Sequence, residues 1–89
     1  MAVIEVTTFR LRPRSDEAAF LEADSLAQAE MSRTAGMLRR TTARAAGGEW
    51  LVVTLWRSEA DADAAGDART AVQGQDAATV ETKRYHSLS

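Results

Sequence analysis

Cysteine is absent from the 89-residue sequence, and histidine occurs only once. The lack of cysteine excludes disulfides, thiol nucleophiles, iron–sulfur clusters and thiolate zinc sites, so packing alone must hold the fold. A single histidine excludes a histidine-rich metal site, and we expect no bound metal. The net charge of −2 creates no broad positive field, so nucleic acid is not an expected partner.

Long apolar runs are also lacking. No segment approaches the length of a membrane span, and no basic region followed by an apolar one opens the chain, so we expect a cytoplasmic protein without membrane contact. Hydrophobic residues make up 45% and charged residues 27%, as in ordinary folded chains. The length predicts one domain over residues 1–89. Eighteen alanines, ten arginines to one lysine and no asparagine indicate GC-rich bacterial coding.

Four segments have the β-branched and aromatic composition of strands. The first is residues 3–12, which Pro13 ends, and the last is residues 79–88. Between them, residues 37–44 and 50–56 are predicted to form a hairpin around Gly47-Gly48. The second arm of this hairpin is apolar on both alternating faces, so both must be covered.

Two helices are predicted between these strands. Ser15 is the expected cap of the first helix, which runs to about Arg33. The residues predicted to be buried are Phe20, Ala23, Ala27 and Met31, flanked by Leu26. The residues predicted to face solvent are Glu22, Asp24, Gln28 and Glu30. Ser58 is expected to cap a second helix that runs to about Arg69. Its core side holds only alanine, so either a flat aromatic guest fits beneath it or it lies close to the sheet.

The predicted element order is βαββαβ, the ferredoxin-like α+β arrangement. Right-handed crossovers place both helices on one face of a four-stranded antiparallel sheet, with the first and third strands central. The other face would expose Leu51, Val53 and Leu55, together with either Ile4/Val6 or Val3/Phe9/Leu11. Burying five such side chains contributes about 1.5–3 kcal/mol each. We therefore expect a homodimer in which two sheets face each other as an α/β barrel.

Two segments carry a family resemblance. Residues 34–44 read Thr-Ala-Gly-Met-Leu-Arg-Arg-Thr-Thr-Ala-Arg, and residues 47–62 read Gly-Gly-Glu-Trp-Leu-Val-Val-Thr-Leu-Trp-Arg-Ser-Glu-Ala-Asp-Ala. With Gly36 before strand two and Trp56-Arg57-Ser58 after strand three, the chain resembles the antibiotic biosynthesis monooxygenase-like domains of the dimeric α/β-barrel superfamily from Val3 to Leu88. The resemblance implies the dimeric α/β-barrel fold. Members of the family oxidise polyaromatic phenols or degrade haem, and many have no known role.

The pattern of the haem-degrading members is only partly matched. Their site combines an Asn on strand one, a Trp at the end of strand three and a His on the second helix. Here Trp56 matches, Thr7 stands where the Asn would be, and the second helix has no His. The quinone-forming members also use an Asn to position substrate and oxygen, and this chain has none. We expect no cofactor, and a cofactor-independent oxygenase would have to use Thr7 or Thr8, Trp56, Tyr85 or His86 instead.

Several side chains are candidates for this site. Trp56 is expected to stack on an aromatic ligand and donate its indole N–H, or else to be a core residue at the strand-to-helix corner. His86 is the candidate general base towards a phenol, or else a surface residue. Tyr85 points away from His86, so at most one of them lines a pocket. The predicted catalytic residues are Trp56, His86 and Thr7, and the predicted substrate-binding residues are Trp56, Phe9, Tyr85 and Arg40.

Arg40 is proposed to meet an anionic or carbonyl group of the ligand, whereas Trp50 is expected at a sheet edge or dimer rim. The leading hypothesis is a small-molecule-binding homodimer acting as a cofactor-independent monooxygenase on aromatic or polyketide-like compounds. The alternative is a non-catalytic ligand-binding or interaction module.

Overall fold

The computed structural model describes residues 2–65 and 75–88. Their secondary structure follows the predicted βαββαβ order. The elements are β1 (Val3–Phe9), α1 (Glu17–Met31), β2 (Met37–Arg44), β3 (Trp50–Trp56), α2 (Glu59–Ala65), a 3-10 turn (Ala77–Thr79) and β4 (Glu81–His86). Neither α1 nor α2 is long and apolar enough to cross a membrane.

The four strands form one antiparallel sheet in the order β2-β3-β1-β4, so the first and third strands are central as predicted. β1 is shorter than expected, because after Phe9 the chain pairs with a different segment. The Arg10 backbone N–H donates to Thr79 Oγ1, and Arg10 O accepts from the Asp76 N–H. Asp76 also organises the 3-10 turn by accepting the Thr79 N–H, which delays the start of β4 to Glu81.

α1 begins at Glu17, and its cap is Asp16 instead of the predicted Ser15. The Asp16 side chain accepts the Ala18 N–H at 2.9 Å, whereas the Ser15 N–H closes a turn on Arg12 O. The helix ends at Met31, two residues before the predicted end. The Ser32 N–H then donates to Gln28 O, and the Arg33 N–H donates to Glu30 O.

Both helices pack on the same side of the sheet, in two apolar clusters. Under α1, Phe20 packs on Phe9 and Trp50, with ring centroids 5.6 Å and 4.9 Å away. The expectation that Trp50 lies at an edge or rim is wrong. It pairs with Phe9 in the β1–β3 register, which turns its ring towards α1, and it is 5% exposed.

The second cluster lies under α2, where Ala62 and Ala65 pack on Trp56 and Val3. The cap of α2 is confirmed, because Ser58 Oγ accepts the Asp61 N–H at 3.2 Å. Of the two arrangements that the sequence left open, close packing of the helix is the one observed at Ala62 and Ala65. The predicted extension of α2 to about Arg69 lies outside the described residues.

The face without helices, called the open face below, carries aliphatic side chains from both central strands. The register pairs Ile4 with Leu55 and Val6 with Val53, so the Ile4/Val6 alternative is confirmed. The five aliphatic residues of this face are all half-buried: Ile4, Val6, Leu51, Val53 and Leu55. Part of the face forms a depression of about 320 Å³ lined by Ile4, Arg39, Thr41, Val53 and Leu55.

Gly36 joins α1 to β2 in a conformation that disfavours other residues. Its φ is +85°, and a Cβ added there would overlap the Asp61 carboxylate. Its carbonyl also accepts the Arg57 N–H at 2.7 Å.

We predict that Gly36→Ala lowers the free energy of unfolding by more than the roughly 1–2 kcal/mol that the left-handed backbone conformation alone would cost. Urea unfolding of Gly47→Ala is the control, since nothing lies within 4 Å of that position. Equal stability of the two variants would contradict the prediction.

Candidate functional site

A row of four residues crosses the helix side of the sheet at one end. The strand registers place Met37, Trp56, Val3 and His86 side by side in that order. This set is called the Trp56 row below. Since neighbouring strands lie about 4.8 Å apart, the backbones of Trp56 and His86 are separated by about 10 Å. The fold therefore brings two of the predicted catalytic residues to the same side of the sheet.

Trp56 is fully buried, and its surroundings are apolar. Val3, Ala62 and Ala65 pack on it, and Met31 and Met37 lie against the same cluster. Its indole Nε1 has no hydrogen-bond partner among the described residues. A buried donor without an acceptor costs about 1–3 kcal/mol. Trp56 is thus a core residue, which is one of the two predicted alternatives. Its indole N–H has no acceptor within residues 2–65 and 75–88.

His86 lies at the outer end of the Trp56 row, where its Nε2 is 3.3 Å from Glu59 Oε2. Both side chains are about half exposed, so the surface location expected for His86 is confirmed. A carboxylate within hydrogen-bond distance of an imidazole nitrogen can orient the ring. The pair therefore has the composition of a general base with an orienting carboxylate.

A second row, one step along the strands, is charged. It runs Arg40, Thr54, Glu5 and Arg84 across the sheet and is called the charged row below. Arg84 Nε donates to Glu5 Oε2 at 3.1 Å, and Arg84 Nη1 donates to Asp63 on α2. These contacts raise the pKa of Arg84 above its usual range, with Asp63 contributing more than Glu5.

Glu5 was not singled out in the sequence analysis. It alternates with Val3, Thr7 and Phe9 on the helix side of β1, and it is only 3% exposed. A charged residue on the buried set of a central strand was the available signal, because such a residue needs a partner. The partner, Arg84, is 79 residues away in sequence.

Arg40 lies at the other end of the charged row, and its guanidinium is engaged within the chain. Its Nη2 lies 2.8 Å from Asp24 Oδ1, and its Nη1 donates to Gln28 Oε1 at 3.1 Å. Thr42 Oγ1 donates to the second Asp24 oxygen at 2.7 Å. The expectation of a solvated Asp24 is wrong, because this pairing with β2 buries it to 6% exposure.

The remaining candidates lie further from Trp56. Thr7 is two rows along β1, with its hydroxyl 2.9 Å from that of Thr82. Phe9 is buried at the opposite end of the helix side, in the cluster with Trp50. Tyr85 is 51% exposed and pairs with Ile4, which places it on the open face, opposite to His86 as predicted.

The start of α2 is tied to the end of β3 by a small polar cluster. Asp61 accepts hydrogen bonds from Ser58 Oγ at 3.0 Å and from Arg57 Nε at 3.1 Å. The Ser58 bond first, and the Arg57 bond second, lower the pKa of Asp61 below its usual value. Within residues 2–65 and 75–88, no three His, Cys, Asp or Glu side chains are grouped as metal ligands.

Solved structures share this fold over nearly the whole chain. SnoaB, a cofactor-independent oxygenase from Streptomyces nogalater, is 18% identical, with 99% of this chain and 94% of that chain covered and a TM-score of 0.79. Rv0793 from Mycobacterium tuberculosis is 19% identical, with 100% and 97% covered and a TM-score of 0.79. MhuD from the same organism, a heme-degrader with two hemes in its active site, is 14% identical, with 98% and 96% covered and a TM-score of 0.73.

No protein-family model matches the sequence, and neither does any curated protein. At these identities the structural likeness establishes the fold alone. The chain shares its ferredoxin-like α+β fold with these proteins and with a solved structure described as a putative antibiotic biosynthesis monooxygenase, from Nitrosomonas europaea, which confirms the predicted fold.

Proposed function

We propose that this chain is a homodimeric small-molecule-binding protein that oxidises aromatic or polyketide-like compounds with molecular oxygen and without a cofactor. The observation that carries the proposal is the indole N–H of Trp56, which is fully buried on an apolar surface with no acceptor among the described residues. A flat aromatic ligand with a ring oxygen would complement both properties. The likeness to the cofactor-independent oxygenase SnoaB supports the reaction type.

A hydroxyanthrone illustrates the proposed reaction. His86, oriented by Glu59, accepts the ring proton, and the resulting electron-rich anion reduces O₂. One oxygen atom becomes the new ring carbonyl and the other leaves as water, so the substrate supplies all the electrons. The Trp56 N–H donates to the substrate oxygen on which negative charge develops. Thr7 lies on the same side of the sheet and stays a predicted substrate contact. Phe9 in the other cluster and Arg40 in its pair with Asp24 are not proposed as contacts of a ligand at Trp56, and Tyr85 lies on the other side of the sheet.

The homodimer part of the proposal rests on the open face. Its five aliphatic side chains lie on one sheet surface that neither α1 nor α2 covers. A second copy offers the same surface, and a two-fold axis would bring both sheets together face to face. The expected gain of about 1.5–3 kcal/mol for each fully buried aliphatic side chain favours such pairing.

A non-catalytic binding module is the second candidate. The close packing of Ala62 and Ala65 on Trp56 favours it, because the described residues leave the indole covered. Such a module would bind the same aromatic ligands without consuming oxygen.

The test measures oxygen uptake with 1,8-dihydroxyanthrone, together with binding of the product quinone by tryptophan fluorescence. We predict that Trp56→Phe, which keeps an aromatic ring but removes the N–H, lowers the uptake rate about 100-fold. Trp50→Phe is the control and should change the rate less than about twofold, because Trp50 lies in the other cluster. Binding without uptake would support the module. Neither binding nor uptake across a panel of polycyclic phenols would overturn the proposal.

A further inference from the structure

We infer that α2 is a movable cover over Trp56, held closed by the Asp63–Arg84 ion pair and the polar Glu59–His86 contact to β4, so that salt controls access to the indole. The inference rests on the proposed function only in taking the surface of Trp56 as the ligand site. It adds how a ligand would reach a side chain that has no exposed surface in the described structure.

The apolar attachment of α2 is small. The helix has seven residues, and Ala62 and Ala65 are its buried ones. Each of these alanines contributes a single methyl group to the cluster around Trp56. By contrast, α1 contributes the large ring of Phe20 to its cluster. Among the described residues, α2 therefore makes its apolar contacts through smaller side chains than α1 does.

Polar contacts supply a second attachment. Glu59 and Asp63 are four residues apart and so lie on one face of α2. Arg84 and His86 alternate on the helix side of β4 and face them, which forms the pairs Glu59–His86 and Asp63–Arg84. The third acid of α2, Asp61, pairs instead with Arg57 and Ser58 just before the helix. The two pairs to β4 thus join α2 to the edge of the sheet.

Both pairs are accessible to salt. The side chains of Glu59, Asp63 and His86 are 52–65% exposed, and that of Arg84 is 28% exposed. Salt at 1 M reduces the screening length from about 30 Å at 0.01 M to about 3 Å. When α2 separates, Arg84 keeps its bond to the buried Glu5, so the sheet below stays intact. Opening would expose Trp56 without disturbing the cluster around Trp50.

The solvent exchange of the indole protons tests this inference on the intact chain. In ¹⁵N-labelled protein, the two indole N–H signals are assigned with Trp50→Phe, and their exchange rates are compared at 10 mM and 1 M NaCl. We expect the Trp56 proton to exchange about two to five times faster at high salt. The Trp50 proton is the internal reference and should change little. Equal rates for Trp56 at both salt concentrations would overturn the inference.

Asp63→Asn should accelerate exchange of the Trp56 proton at 10 mM NaCl and remove most of its salt dependence. The matched control is Glu17→Gln, which breaks a pair with Arg44 that is also about half exposed but attaches α1 to β2. An equal effect of both variants, or parallel acceleration at Trp50, would indicate general unfolding and contradict a local cover. If Trp56 exchange follows these expectations but no quinone binds, the cover stands and the proposed function fails.

Discussion

Replacing Asp24 with alanine is expected to lower the free energy of unfolding by about 3–5 kcal/mol. The carboxylate is the counter-charge of Arg40, and the two side chains are only 9% and 4% exposed. Without it, a guanidinium stays buried beside groups that cannot neutralise it, because Gln28 and Thr42 offer only neutral oxygens. Equilibrium unfolding in urea, followed by circular dichroism, measures the loss.

Two further variants separate the buried charge from other effects of the substitution. Glu17→Ala breaks the exposed pair with Arg44 and should change the free energy of unfolding by less than about 1 kcal/mol. The double variant Asp24→Leu, Arg40→Met replaces the buried pair by apolar side chains and should recover most of the stability lost in the single variant. A loss below 1 kcal/mol in Asp24→Ala, or no recovery in the double variant, would contradict this account.

The sequence predicted the elements whose patterns are local. β2 and β3 have their predicted bounds, because the hairpin has turn glycines between segments rich in β-branched residues. The open face was also predictable, because β3 is apolar on both alternating faces and the two helices can cover only one of them. The ends of β1 and β4 did not follow, because they depend on Arg10 meeting Asp76 and Thr79. Neither segment's own sequence pattern indicates this contact between distant parts of the chain.

The candidate site was predictable only where the type of a single residue and its position in the sequence indicate a function. Trp56 and His86 were found from their positions at strand ends, and the structure places them in one row. The buried partners in and beside the charged row were missed, because Asp24, which pairs with Arg40, sits on a helix whose other acids face solvent, and Glu5 looks like an ordinary strand residue. Their burial depends on partners 16 and 79 residues away. Helical or strand periodicity cannot show such pairings.

The charged row divides the helix side of the sheet into two parts. It separates the cluster of Phe9, Phe20 and Trp50 from the cluster around Trp56. Large rings fill the first cluster, and α1 spans 15 residues above it. The second cluster meets α2 through two alanines. The proposed ligand site at Trp56 therefore lies in the cluster whose described helix contacts come from the smaller side chains.

The open face leads to the second large expected effect. Val53→Asp should raise the dissociation constant of the proposed dimer about a thousandfold or more. Val53 pairs with Val6 and Thr41 in the middle of this face. A carboxylate buried there in both protomers would lose several kcal/mol of hydration in each, and about 1.4 kcal/mol corresponds to a tenfold change. Sedimentation velocity at micromolar concentration measures the shift from dimer to monomer.

A charge placed elsewhere on the surface should not have this effect. Leu26 is 69% exposed on α1, away from the open face, so Leu26→Asp is the matched control and should stay dimeric. Circular dichroism of Val53→Asp must show a folded chain, since the half-buried Val53 also packs within the sheet. A folded monomer for this variant beside dimeric Leu26→Asp would locate the interface on the open face. A folded unsubstituted chain that sediments as a 9.6 kDa particle would refute the dimer.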